Sequence, residues 1–295
     1  KQVDAYYMSD GTDCPGMNSE YAGTPAYQGR IDTRPRATGY TTNNTDHKPL
    51  PNGVSLQYAE REPRFYASIA YNGMYWHLGN EPEVQNQDQQ VFYYRGDGNG
   101  YANSMFWLRT GIGVAKYVHP DDTYYNSDAA KVKDKDEPAI RYADILLMYA
   151  EASLEAGDKP TAIEYLDMVR TRGDNMPSIG DTYPQGITEN QLREIIRRDR
   201  RIELAFEDKR WWDILRWKIC DGENGVMNKP IGGMKIEDTN GDGVWEYNYH
   251  EVGKRTFLPR MYYQPIPQYV IDKNPVIREQ NGGEDGWVNG QNPGY

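Results

Sequence analysis

The sequence predicts a mostly α fold with extensive loops and a few short strands, in which helical-hairpin repeats carry a loop-rich binding face. Three observations lead there. Between residues 138 and 219 apolar side chains recur at steps of three and four, the period of an amphipathic helix. Across 1–137 Gly, Asn, Asp, Tyr and Pro dominate, and no helical period is sustained. Where β-prone residues gather, they form short pieces closed off by turn residues. The chain therefore reads as a loop-rich ligand-facing region over 1–137, a helical region over 138–219 and a turn-and-strand region over 220–295, together one folded unit.

Composition narrows the class. With 38% hydrophobic and 26% charged residues, the 295-residue chain has the balance of a globular protein rather than a disordered one. Its net charge of −11 argues against a nucleic-acid partner and against adsorption to an anionic membrane, since both need clustered Lys and Arg. The 25 Tyr and 7 Trp against 5 Phe are rings with a polar edge. They suit a surface that binds polar, ring-shaped ligands such as sugars, and equally a loop-rich fold that ties loops to its core through Tyr. Cys14 and Cys220 match neither zinc nor redox spacing and read as two free, buried thiols. Among the longest apolar runs is Ile145–Ala150, far short of a membrane span, and Lys1–Gly11 is polar. An export signal or lipid anchor is expected upstream of Lys1.

Taken in order, the strand-like pieces are Arg64–Tyr71, Gln90–Arg95 and Gly113–Val118, bounded by Asn72-Gly73, Gly96-Asp97-Gly98 and Pro120-Asp121. The run Gly96–Gly100 lacks the Lys-Ser/Thr of a phosphate loop and reads as a hairpin turn. Ile140, Ala143, Leu147, Ala150 and Leu154 mark one face of a first helix, ended by Gly157. Asp158 then caps a second, with Pro160 early in it and Ala162, Ile163, Leu166 and Val169 on its apolar face. The stretch YAEASLEAGDKPTAIEYLDMVR is thus a tetratricopeptide-like helix-turn-helix. A third helix runs from the cap Thr188 to Phe206, burying Leu192, Ile195, Ile196, Ile202 and Phe206, and a fourth covers Lys209–Ile219. Further strand pieces fall at Met234–Ile236 and Val244–Tyr249. Such repeats bury their faces only by stacking. One clear unit and one poor one are visible, so further repeats are expected before Lys1.

Five separated segments then carry a resemblance: QVDAYYMSDG (2–11), REPRFYASIAYNG (61–73), PAIRYADILLMYAEASLEAG (138–157), DRRIELAFEDKRWWDILRW (199–217) and YYQPIP with NPVIREQN (262–267 and 274–281). Their order and spacing are similar to the C-terminal half of the SusD/RagB family, with Asp199 where the family usually has Glu. The resemblance implies a SusD-like, non-catalytic outer-membrane lipoprotein that holds an oligosaccharide or polysaccharide at the cell surface. It also implies a TonB-dependent, SusC-type transporter as partner, and an N-terminal half with the lipid anchor that this chain lacks.

Candidate chemistry is weighed residue by residue. Arg200, Arg201, Glu203, Glu207, Arg210 and Asp213 are dense enough for acid/base work, but helical spacing favours i,i+4 ion pairs that fix how the third and fourth helices dock. Trp211, Trp212 and Trp217 on the same helices read mostly as core. His47, His77, His119 and His250 stand alone, and neither a His-Glu-x-x-His site nor a Gly-x-Ser-x-Gly elbow occurs. No cofactor is required. A structural calcium ion is the one metal expectation: in DTNGDGVWE, Asp238, Asn240 and Asp242 occupy loop positions 1, 3 and 5, with Gly243 at the turn and Glu246 at position 9. Tyr249 stands where the bidentate Glu belongs, and the competing reading is a plain Asx turn. Loop aromatics suited to a pyranose face are Tyr21, Tyr27, Tyr40, Tyr75, Trp76, Tyr101 and Tyr124, with Asn72, His77 and Asn80 near enough in sequence to reach hydroxyls. Two other functions stay open, a glycan-active hydrolase or lyase and a repeat scaffold that binds only protein.

Overall fold

A computed structural model describes residues 2–14, 56–58, 61–76, 89–97, 100, 107–119, 122, 133–174, 176–238, 241, 245–281, 287–293 and 295. Contacts group the chain into two compact units, Lys1–Arg210 with Gly232–Val252, and Trp211–Ile231 with Gly253–Tyr295. The first joins the loop-rich and helical regions and takes in most of the paired strands β5 (Ile231–Glu237) and β6 (Glu246–Gly253) from further along the chain. Among the described residues helices dominate, and the strands pair two at a time.

In the first unit, helix α1 (Pro63–Ser68) occupies most of the segment expected as a strand. Pro63 stands in its first turn, where its fixed φ is already helical and its missing N–H costs nothing. Arg64, Phe65, Tyr66 and Ser68 are all buried, so no polar face betrays a helical period. Only β1 (Ile69–Ala70) is extended, pairing antiparallel with β4 (Gly113–Val114). Strands β2 (Met74–Trp76) and β3 (Gln89–Val91) form a second antiparallel ladder, with Met74 opposite Val91.

The helical hairpin is α2 (Tyr142–Glu155) and α3 (Lys159–Arg170). Ile140 precedes α2 and is 67% exposed, so it is not part of the buried face, which is Ala143, Leu146, Leu147, Ala150 and Leu154. Gly157 takes φ +84° at the turn, a conformation that strains any residue with a Cβ. Asp158 caps α3 by accepting from Thr161 N–H at 3.2 Å, and fully buried Ala162 lies on its inner face. A short helix the sequence had hidden, α4 (Ile179–Thr182), is capped by Ser178 and buries Ile179. Helix α5 (Glu189–Glu203) opens on a capping box in which Thr188 and Gln191 bond each other's main-chain N–H. It stops before Phe206, which turns left-handed at φ +66° and is exposed rather than buried.

Much of the tyrosine surplus is core. Tyr58 stacks on Tyr71 with centroids 4.9 Å apart, and Phe65 lies edge-on to Tyr6 and Tyr66. Tyr7, Tyr93 and Tyr247 are buried in the same unit. A second core joins the buried faces of α2, α3 and α5 through Leu147, Leu166, Leu192 and Ile196.

The second unit takes most of α6 (Lys209–Arg216), α7 (Gln268–Lys273) and α8 (Pro275–Arg278). Ile214, Cys220 and Phe257 form its core. The Tyr262 hydroxyl donates to Asp221 Oδ1 at 2.6 Å and accepts from Cys220 N–H at 2.8 Å, closing the loop after α6. Of Trp211, Trp212 and Trp217, expected mostly in the core, none is buried: Trp211 is 37% and Trp212 67% exposed, and Trp217 is half-buried. Both cysteines are free and buried, as expected.

Candidate functional site

The charged motif on α5 bonds across the unit rather than along its own helix. Asp199, fully buried, accepts from Arg64 at 2.9 Å, from Arg170 at 2.7 Å and from the Tyr7 hydroxyl at 3.3 Å. Glu203 accepts from Arg141 at 2.7 Å and Arg172 at 3.2 Å, while Glu207 takes Arg141 at 2.8 Å and Lys116 at 2.5 Å. Glu62 accepts from Arg64 at 2.6 Å and from Tyr7 N–H at 2.9 Å, and Arg200 reaches Asp144 at 3.0 Å. These pairs reach far along the sequence, because the buried side of α5 faces α1, α2 and α3 rather than water.

Electrostatics follow from this packing. Burial alone would raise the Asp199 carboxyl, but the Arg170 and Arg64 charges outweigh it and hold the group below the usual carboxylate range. Glu203 is lowered in the same way, its burial overcome by Arg64 and Arg141. Burial, reinforced by Asp199, pushes the Tyr7 phenol far up. These groups are locked charges and a locked neutral phenol, unsuited to passing protons near neutral pH.

The aromatic face is built differently. At the turn into β2, Gly73 adopts φ +83° and its N–H bonds Val91 O at 2.7 Å. Asn72 is buried, its Oδ1 accepting from Tyr93 N–H at 2.7 Å and its Nδ2 donating to the Tyr247 hydroxyl at 3.1 Å. The amide thus fixes the turn before β2 to Tyr93 and to Tyr247. The main chain of Tyr75 and Trp76 lies on β2, and their side chains, with Tyr21, Tyr27 and Tyr40, lie outside the described residues. So do Tyr101, Tyr124, His77 and Asn80.

One aromatic pair was not foreseen. Arg95 N–H bonds Ile236 O at 2.8 Å and its guanidinium meets Glu237 at 3.1 Å, tying the segment that follows β3 to β5 (Ile231–Glu237). That seam sets the half-buried rings of Tyr94 and Trp245 face to face, centroids 3.8 Å apart and 22° from parallel, with Phe92 edge-on at 5.3 Å.

In the calcium-like segment, Asp238 follows β5 and Glu246 opens β6 (Glu246–Gly253), while Asn240 and Asp242 lie outside the described residues. Gly241 takes the left-handed φ of +69°. Among the described residues no three His, Cys, Asp or Glu side chains converge as a metal site.

A model of the SusD family matches residues 1–287. The chain belongs to the SusD family. SusD-like protein P2 of Formosa agariphila is 39% identical over 100 residues, 31% of this chain and 19% of the relative. A SusD-like protein of Bacteroides fragilis, solved by crystallography, superposes with a TM-score of 0.66 at 25% identity, covering 100% of this chain and 46% of its own. A second crystal structure from B. fragilis, described as a SusD-like carbohydrate binding protein, gives a TM-score of 0.59 at 26% identity, over 93% of this chain and 46% of its own. The chain thus spans under half the length of either solved relative.

The geometry explains what the SusD resemblance rests on. Tyr7, Glu62 and Arg64, Arg141 and Asp144, Asp199 and Glu203 come from four of the separated motifs, and they all enter the buried ionic network or its margin. Those motifs specify a scaffold and say nothing about a ligand. Among the aromatics, Trp245 was passed over because its partner, Tyr94, is distant in sequence and only the β3–β5 seam brings them together.

Proposed function

We propose that this chain binds an oligosaccharide or polysaccharide without turning it over. Its place is the outer-membrane surface, held by a lipid anchor, and its role is to pass the captured glycan to a TonB-dependent transporter of the SusC type. The observation that carries this reading is membership of the SusD family over residues 1–287 alongside a solved neighbour described as carbohydrate binding. The charged scaffold supports the non-catalytic part, because Asp199, Glu203, Glu207 and Glu62 are each engaged by arginine or lysine. Stacking then falls to loop aromatics, for which Tyr75, Trp76 and the Tyr94–Trp245 pair are the candidates.

Affinity should be modest. Every sugar hydroxyl leaving water must regain its hydrogen bonds, so net gain comes mainly from stacking and shape. We expect dissociation constants of roughly micromolar to millimolar, or about −8 to −4 kcal/mol. Affinity gels over a glycan panel test this, run beside a reducing-end assay. Retardation without new reducing ends supports the proposal, and turnover would sink it.

A further inference from the structure

We propose that the second unit carries a subsite for the anionic groups of an acidic glycan, uronate carboxylates or sulfate esters, formed by Lys218, Tyr263, Tyr295 and Arg260. The subsite rests on glycan binding itself and adds the charge class of the sugar. The net charge of −11 is unevenly shared along the chain. Residues 211–231 and 253–295 carry eight Lys and Arg against seven Asp and Glu, a balance of +1, and the remainder carries 25 against 37, a balance of −12. The acidity that opposes anions is thus no property of the second unit.

Within that unit two cations stand against two exposed rings. Lys218 Nζ lies 5.9 Å from the Tyr263 centroid, and Arg260 Cζ lies 5.5 Å from the Tyr295 centroid. Tyr263 is 59% and Tyr295 38% exposed, and the Tyr295 hydroxyl donates to Tyr263 O at 2.9 Å. The four residues therefore form one strip, with a cation at each end and two rings between. A pyranose can lay its C–H face on a ring while its carboxylate or sulfate meets Lys218 or the planar Arg260 fork. A neutral sugar gains only the stacking.

The strip is set in place before any ligand arrives, which lowers the cost of ordering it. Asn292 Nδ2 donates to Gln264 O at 2.6 Å, and the Gln291 amide bonds Ile266 N–H and O at 2.7 and 3.0 Å, so the main chain after Tyr263 is pinned. The Tyr262 hydroxyl, held by Cys220 N–H and Asp221, fixes the loop after Lys218 to the neighbour of Tyr263. Lys218 is itself out of the ordinary. It follows α6 in a Schellman turn, its N–H bonding Leu215 O at 3.0 Å and Ile219 N–H bonding Ile214 O at 3.2 Å, with φ +49°. Glycine is the usual residue at that place, because a Cβ strains it. Backbone strain of this kind is retained where a side chain has a task.

Native affinity gels of the 295-residue chain in polygalacturonate, chondroitin sulfate, carboxyl-reduced polygalacturonate or polyglutamate test the proposal. At least one of the two acidic glycans should retard the chain, the first alone marking a uronate subsite and the second alone a sulfate subsite. The carboxyl-reduced polymer should bind roughly tenfold more weakly than polygalacturonate where the latter binds, and polyglutamate should not retard the chain. Lys218→Gly should weaken the acidic glycan roughly two- to fivefold while the melting temperature holds or rises, because glycine suits φ +49°. Arg260→Gln should weaken it by a similar factor, and Tyr263→Ala roughly fivefold or more. Retardation by neutral glycans alone would overturn the subsite and leave glycan binding standing, whereas gels flat for neutral and acidic glycans alike would overturn both. Equal retardation by polyglutamate would overturn it in favour of plain anion exchange or an acidic peptide. Acidic-glycan binding unchanged in all three variants would also overturn it, as would Lys218→Gly losing stability with binding intact, the mark of a lysine kept only for the end of α6.

Discussion

Arg64 and Asp199 stand 135 positions apart in sequence and meet at 2.9 Å in the interior of the first unit. Arg170 closes on the same carboxylate from α3 at 2.7 Å, so one buried anion ties α1, α3 and α5 together. Removing either side of such a pair leaves an uncompensated charge away from water. Asp199→Ala should therefore cost about 3–5 kcal/mol of stability, read as a lower urea midpoint. A loss below about 1 kcal/mol, the level of an exposed pair, would mean that water reaches the network.

The same network sets an acid limit. Asp199 and Glu203 titrate below their ordinary values of 3.8 and 4.5, each because neighbouring arginines outweigh the effect of burial. Their folded pKa values lie below the unfolded ones, so the stability they confer is complete above about pH 4.5 and drains away as pH falls through the folded values. Urea midpoints from neutral pH downward should hold level and then drop, and Asp199→Asn should flatten the drop. A midpoint that rises on acidification contradicts this.

The helices were legible because their period survives in the sequence. Leu147, Ala150, Leu154, Ala162 and Leu166 are all buried, and the caps at Asp158 and Thr188 form as their residue types require. The segment at Arg64–Tyr71 was misread because a six-residue helix with Arg64, Phe65, Tyr66 and Ser68 buried shows no amphipathic period, and its Phe, Tyr and Ile favour strands. The long-range ion-pair partners were not legible for a related reason. Spacing on α5 permits i,i+4 pairs, but only the fold shows that the acceptors face Arg64, Arg141 and Arg170. The bonds of the Asn72 amide to Tyr93 and Tyr247 were not legible because their partners are distant in sequence.

For calcium, the arrangement of Asp238 and Glu246 at the two ends of the β5–β6 connection leads to a definite outcome. Added calcium should raise the melting temperature modestly, EDTA should reverse it, and Asp238→Ala with Asp242→Ala should abolish the rise, because an ion that binds only the folded chain stabilises it. An unmutated protein that ignores calcium makes the segment a plain turn.

Single aromatics can be tested for stacking. Trp76→Ala and Trp245→Ala should each lower glycan affinity by roughly 1–3 kcal/mol if the ring lies against sugar, with melting little changed. A large fall in melting temperature with binding intact makes that ring part of the core. If both rings behave so, the stacking surface moves to Tyr21, Tyr27 and Tyr40.

The most direct measurement is isothermal titration of the purified chain with a panel of oligosaccharides, the same mixtures then assayed for new reducing ends. Saturable binding to at least one glycan at roughly micromolar to millimolar dissociation constant, with no bond cleaved, is the predicted result. Titrations flat across the whole panel, or cleavage of any bound glycan, would contradict it.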